Sequence, residues 1–222
     1  TGEYVGIVEP DDYVKPDMYE KLYKVAKEKN LEIVKADFLR FVTGADGKRV
    51  FQYNRLTSRD DLYKRVIDPK DELDMFKALM NTWSGIYKAS FLKEHQIRHN
   101  ETPGASFQDN GFWFQTFCYA KRIYFVDKPY YRNRRDNPGS SVHSREKVFC
   151  MNDEYAFIRD FLNAHPVFKE RYLGIYNFKR YHNYIASFYR VGEEFKDIYM
   201  ERFQKEFIEA DKNGELEPEI FT

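Results

Sequence analysis

Apolar and polar positions change rhythm several times along the chain. Residues 4–8 (YVGIV) form an unbroken apolar run suited to a buried strand, and the run stops at Glu9, Asp11 and Asp12. Pro16 stands where a first helical turn accepts proline. Met18, Leu22, Val25 and Ala26 then recur on one face, so a helix is expected from Pro16 to about Asn30. Residues 31–42 (LEIVKADFLRFV) are rich in β-branched and aromatic side chains, Asp46-Gly47 supplies a turn, and residues 49–54 return, which predicts a β-hairpin. Ser58 and Asp61 have capping-box spacing ahead of Leu62, Val66 and Ile67, predicting a short helix, and residues 70–80 predict another.

From Trp83 a short apolar strand runs into a helical turn, and residues 100–108 read as a loop broken by Pro103 and Gly104. A helix is expected over 109–121, carrying Phe112, Trp113, Phe117 and Cys118, then a strand over 122–134 and a polar loop over 135–144. Three helical stretches follow, broken by Pro166 and Gly192. The change of character places a boundary near residue 144, with one domain over 1–144 and a helical region over 145–222. No internal repeat or low-complexity segment interrupts this reading.

Composition narrows the classes. In 222 residues, 36 Lys and Arg balance 36 Asp and Glu, so no bulk field draws the chain to nucleic acid, and charged partners must be met locally. Cys118 and Cys150 have no metal-ligand spacing and lie among apolar residues, which suits reduced thiols in the cytoplasm. No apolar stretch reaches the roughly 18 residues of a membrane span, and no signal pattern opens the chain. The match of Asn100-Glu101-Thr102 to a glycosylation acceptor is then read as chance. Aromatic residues make up 18% of the chain, with 20 Phe, 18 Tyr and 2 Trp. They serve either a large core with polar edges or platforms that stack on sugar rings.

The acids raise the sharpest question. Three carboxylates crowded at the end of an apolar strand repel one another, so a cation is expected among them. The stretch Glu9-Pro10-Asp11-Asp12-Tyr13-Val14-Lys15-Pro16-Asp17-Met18-Tyr19, the later Phe107-Gln108-Asp109-Asn110-Gly111, and residues 130–144 (YYRNRRDNPGSSVHS) together resemble the family 2 glycosyltransferases of the GT-A fold. The likeness spans about residues 2–144 and is strongest to bacterial members that build capsule and lipopolysaccharide. It implies an α/β fold: the C-terminal portion of a GT-A core with a Rossmann-like mixed sheet, followed by the helical region. The nucleotide-binding half of such an enzyme is expected upstream of Thr1, and the 222-residue piece alone is expected to be inactive.

The resemblance also implies roles. Asp11 would be the principal ligand of a Mn²⁺ or Mg²⁺ ion bridging the diphosphate of a nucleotide-sugar donor, and His143 is a further candidate ligand. Glu9 would face the ribose and Asp12 orient the turn. Trp83, Arg132, Arg134 and Arg135 are candidate donor contacts. Asp109 would act as general base on a glycan or lipid-linked acceptor, in a single displacement with inversion. Gln108 stands where the family commonly has an acid, which leaves Asp109 without a partner to raise its pKa.

Plainer readings stand beside each role. Asp11, Asp12 and Asp17 also suit a turn and a helix start, Asp109 an N-cap, Trp83 a core, and His143 and the arginines a solvated loop. The helical region would dock on the catalytic half, contact the acceptor, or rest at the inner face of the bacterial plasma membrane. The first strand, having an open edge, is a candidate for homodimer pairing. The alternatives as a whole are a non-catalytic carbohydrate-binding or scaffolding module, or a regulator with a degenerate site.

Overall fold

Apart from the β-hairpin at residues 33–54, strands in the first third of the chain find their partners far along the sequence. The structure, a computed structural model, describes residues 2–102, 107–137 and 147–221. The chain divides into two compact units, Thr1–Arg98 with Tyr119–Pro138, and His99–Cys118 with Gly139–Thr222.

The first unit carries a mixed seven-stranded sheet in the order β1 (Tyr4–Gly6), β6 (Gly85–Lys88), β3 (Ile33–Thr43), β7 (Ile123–Arg134), β2 (Tyr13–Val14). β4 (Arg49–Asn54) forms the expected hairpin with β3, and β5 (Val66–Ile67) adds to β7. β3 and β7 run parallel; the other pairs are antiparallel. Gly47 takes φ 76° in the hairpin turn, a conformation open to glycine at little cost. β1 lies at one edge of the sheet, bonded on one side only.

The helix α1 (Met18–Glu28) begins two residues after Pro16 and stops before Asn30, whose φ of 49° ends the helical path. Met18, Leu22 and Ala26 are fully buried against Val34, Phe38, Ile86 and Tyr131. Burial of each large apolar side chain contributes about 1.5–3 kcal/mol. The first half of β3, residues 33–38, is buried on both faces and includes Lys35 and Asp37. Asp37 accepts from the Tyr63 hydroxyl at 2.6 Å, the Tyr53 hydroxyl at 2.8 Å and the Leu56 N–H at 2.9 Å.

Two expected helices are absent. Residues 58–67 form one 3₁₀ turn at Asp60–Leu62 and then β5, with Lys64 at φ 58° between them. Residues 70–80 hold a 3₁₀ segment, Leu73–Lys77. Arg59 pairs with Asp61 and Asp74, Arg65 with Glu72, and the Tyr63 hydroxyl is committed to Asp37, so side-chain bonds hold this segment in loops. Short α2 (Ala89–Glu94) follows β6.

The second unit is helical: α3 (Asp109–Tyr119, whose last residue groups with the first unit), α4 (Cys150–Ala164), α5 (Pro166–Arg190) and α6 (Lys196–Lys212). Pro166 opens α5 at its first position, where its missing N–H is harmless. Tyrosines fill this core with their hydroxyls paired: Tyr176 donates to the Tyr155 carbonyl and Tyr199 to the Tyr184 carbonyl, both at 3.0 Å. Among the described residues no helix is long and apolar enough to cross a membrane.

Candidate functional site

Glu9, Pro10, Asp11 and Asp12 form a β-turn closed by the Asp12 N–H on the Glu9 carbonyl at 3.1 Å, with Pro10 at the second position. β2 follows at once and pairs Tyr13 with Arg132 and Val14 with Tyr131, which pins the turn to the end of β7. Asp12 is absorbed by that strand. It accepts the Arg134 N–H at 2.6 Å and Asn133 Nδ2 at 3.0 Å, and the Tyr131 hydroxyl also bonds it. Burial raises the Asp12 carboxyl, against the pull of these donors.

Asp11 and Glu9 are placed differently. Asp11 Oδ2 accepts from Asn137 Nδ2 at 2.6 Å, an amide bond that a ligand oxygen or cation can displace. No described residue hydrogen-bonds the Glu9 carboxylate. Crowding by the surrounding protein, and then the charges of Asp12 and Asp11, push the Glu9 carboxyl up. The turn therefore holds mutually repelling acids with no cationic side chain bonded to them among the described residues.

Tyr131 ties the turn together, and sequence reasoning passed over it for the arginines beside it. Its hydroxyl accepts the Glu9 N–H at 3.0 Å, and its ring lies 4.4 Å from that of Trp83. Trp83 is half-buried, with Phe38 edge-on at 4.7 Å. The structure thus brings Glu9, Asp12 and Trp83 around one buried tyrosine.

The three arginines point to separate tasks. Arg132, 8% exposed, donates Nη1 to the carbonyls of Pro129 at 2.7 Å and Tyr131 at 3.0 Å. Arg134 donates Nε to Asp136 at 2.6 Å, and that pair raises the guanidinium, with a smaller contribution from the Asp11 charge. Arg135 continues the β3 edge through its N–H on the Phe41 carbonyl at 2.9 Å. His143 lies outside the described residues, as do Pro103 and Gly104.

Among the described residues no three Asp, Glu, His or Cys side chains converge as a metal cage. The donor set at the turn suits a different mode. Hard divalent cations are commonly held by one or two carboxylates and completed by water and substrate phosphate oxygens. Asp11 and Glu9 are the two carboxylates not committed to β7, and they fit that mode.

In the second unit Asp109 is the first residue of α3. The preceding corner is tight: Phe107 adopts φ 64°, its carbonyl accepts the Asn110 N–H at 3.0 Å, and Gln108 Nε2 binds Thr102 Oγ1 at 2.9 Å. The helix start is held from α4. Glu154, 1% exposed, accepts the Gly111 N–H at 2.7 Å with one oxygen and Asn100 Nδ2 at 3.1 Å with the other. A carboxylate there also faces the positive end of the α3 dipole. Gly111 leaves room for it, because a Cβ would overlap Glu154 Oε1 and come 2.7 Å from the Phe157 ring. Capping of α3 from α4 was invisible in the sequence, where Glu154 is one acid in a helical stretch.

Comparison with known proteins adds the following. No family model matches the chain. Over 144 residues, 60% of the chain, it is 28% identical to a protein named glycosyltransferase GlyG from Streptococcus pneumoniae serotype 4. The chain spans 44% of that relative's length. Among solved structures it is similar to S. aureus TarS 1–349 in complex with UDP-GlcNAc, with TM-score 0.48, 16% identity, and coverage of 96% of this chain and 69% of that one. The complex of TarS 1–349 with UDP gives TM-score 0.47 at 16% identity, covering 96% and 68%.

Proposed function

We propose that this chain is part of a glycosyltransferase that moves a sugar from a nucleoside diphosphate donor to a surface polysaccharide or glycolipid acceptor. The observation that carries the reading is the acidic turn. Three carboxylates stand together, one is fixed to β7, and Glu9 and Asp11 are left crowded with no cationic side chain bonded to them among the described residues. Such an arrangement is costly unless positive charge arrives with a ligand. The 28% identity to glycosyltransferase GlyG supports the same class.

Asp11, with Glu9, would hold a Mn²⁺ or Mg²⁺ ion, which when bound supplies positive charge against the donor diphosphate. Asp12 and Tyr131 hold the turn rigid. Asp109 takes the proton from the acceptor hydroxyl as that oxygen attacks the anomeric carbon. The bond from the anomeric carbon to the diphosphate oxygen breaks, its electron pair leaves with the nucleoside diphosphate, and the configuration inverts. Trp83 and the arginine side chains at the end of β7 are the candidates for donor contacts.

The test is sugar transfer by the intact protein that contains this chain. Asp109→Asn keeps the shape of the side chain and removes the base, so transfer should fall by a factor of about 10²–10⁴ while donor binding persists. Unchanged transfer by that variant would remove Asp109 from the chemistry.

A further inference from the structure

The helical unit contains a cavity of about 330 Å³ among α4, α5 and α6. Asn152, Tyr176, Arg180 and Tyr184 line it and are all buried. Arg180 is 7% exposed, and its guanidinium lies 4.3 Å from the Phe207 ring and 5.3 Å from that of Tyr176. Among the described residues no carboxylate forms an ion pair with it within 4.0 Å. Nε and Nη2, which share one edge of the guanidinium fork, have no hydrogen-bond partner among the described residues. Neither has Asn152 Oδ1, an acceptor on a side chain only 1% exposed.

The acids around the cavity do not answer that charge. Glu215 is paired with Arg159. Glu206 receives the Tyr184 hydroxyl at 2.5 Å and Arg202 Nε at 2.8 Å, and Glu209 is exposed at the rim. A buried guanidinium without a counter-ion is strongly disfavoured, and its Nε/Nη2 edge matches the two oxygens of a carboxylate or phosphoryl group. Both nitrogens are shielded from water as the side chain lies, so binding requires the guanidinium to leave its contact with the Phe207 ring and turn that edge into the cavity.

We propose that this cavity binds a small hydroxylated oxyanion. A carboxylate or phosphoryl group meets Nε and Nη2 of Arg180, and a hydroxyl of the same molecule donates to Asn152 Oδ1. The volume is at the small end of ligand sites and suits one sugar-sized unit. The proposal does not depend on the acidic turn, none of whose residues line the cavity.

The test is thermal unfolding of the whole chain with EDTA present, so that no metal-dependent binding contributes. The probes are glucose 1-phosphate, glucuronate, inorganic phosphate and glucose. At tenfold excess over Kd a single-site ligand raises Tm by about 3 to 6 °C in a chain of this size. At least one of the two hydroxylated anions should do so, and which one tells the phosphoryl from the carboxylate source. Glucose should not, and inorganic phosphate should act weakly.

Arg180→Met removes an unanswered buried charge, so it should leave the ligand-free Tm equal or higher and abolish the shift. A purely structural arginine would instead lower Tm. Should Arg180→Met fail to fold, Arg180→Lys, which keeps charge and stem but loses the fork, should weaken binding about tenfold or more. No shift with either hydroxylated anion, an equal shift with glucose, or binding undiminished in the Arg180 variant that folds would each overturn the proposal.

Discussion

Replacing Glu154 by alanine should destabilise the chain in a way its partners make calculable. The side chain is 1% exposed and accepts from the Gly111 N–H at 2.7 Å and from Asn100 Nδ2 at 3.1 Å. A buried donor left unpaired costs ~1–3 kcal/mol, and the Asn100 amide, only half-buried, loses about 1, so losing both bonds gives about 2–4 kcal/mol and a Tm fall of roughly 4 to 16 °C. Glu154→Gln keeps an oxygen for Gly111 and discards a buried charge, and should stay within about 1 kcal/mol of the parent. The pH dependence has a definite sign. Burial raises the Glu154 carboxyl, opposed by its two donors, so the folded state favours the protonated form more than the unfolded chain does. Its contribution is fully present below the ordinary glutamate pKa and is lost as pH rises through the raised one; Glu154→Gln should flatten that slope. Gly111→Ala forces a Cβ against Glu154 and Phe157, and should cost ~1–3 kcal/mol in the parent but less beside Glu154→Ala. Urea unfolding of the parent, the three single variants and the Gly111→Ala/Glu154→Ala double variant gives all these values. A loss below about 0.5 kcal/mol for Glu154→Ala, or strict additivity with Gly111→Ala, would refute the claim that α4 caps α3.

Further outcomes follow from single contacts. Tyr131→Phe should cost about 1–2 kcal/mol in urea unfolding, because its hydroxyl serves both the Glu9 N–H and Asp12. Asp136, bonded by Arg134 and by the Thr43 N–H, has its carboxyl held down at about 2. Its contribution is present above the unfolded aspartate value and lost as pH falls toward about 2, so Asp136→Asn should show a shallower acid limb in a pH series of Tm. Burial pushes the Cys118 thiol well up, whereas Cys150 is half-buried. A thiol reagent should modify Cys150 alone in the native protein and both cysteines in urea.

Legibility in the sequence followed the range of the interactions. The Pro10 turn and the buried face of α1 are written in local periodicity, and the hairpin in Asp46-Gly47. The apolar run 4–8 misled: it is no buried strand, since only Tyr4–Gly6 is strand, at the sheet edge, with Val5 and Val8 exposed, because β6 covers one side only. The three C-terminal helices and their breaks at Pro166 and Gly192 were local too. Residues 58–80 were misread as helical since their spacing satisfies a helix while their partners lie elsewhere. Asp37 captures the Tyr63 hydroxyl from 26 residues away, and Arg59 reaches Asp74, 15 residues on. The acids of the turn were visible as candidates, but their division of labour was not. It depends on Tyr131, Asn133, Arg134 and Asn137, which arrive more than a hundred residues later on and just beyond β7. Arg180 was invisible for the opposite reason: a lone cation in an amphipathic helix looks solvated until its burial is known.

The central claim is that the turn at Glu9–Asp12 exists to hold a divalent cation against a nucleoside diphosphate. Its most direct test is calorimetric titration of UDP into the intact protein containing this chain, with and without Mn²⁺, for the parent, Asp11→Ala and Asp17→Ala. Asp17 is an exposed acid five residues past the turn and serves as the control. The account predicts UDP binding that requires Mn²⁺, is lost in Asp11→Ala and survives in Asp17→Ala. Binding that ignores the metal, or that persists undiminished in Asp11→Ala, would contradict it.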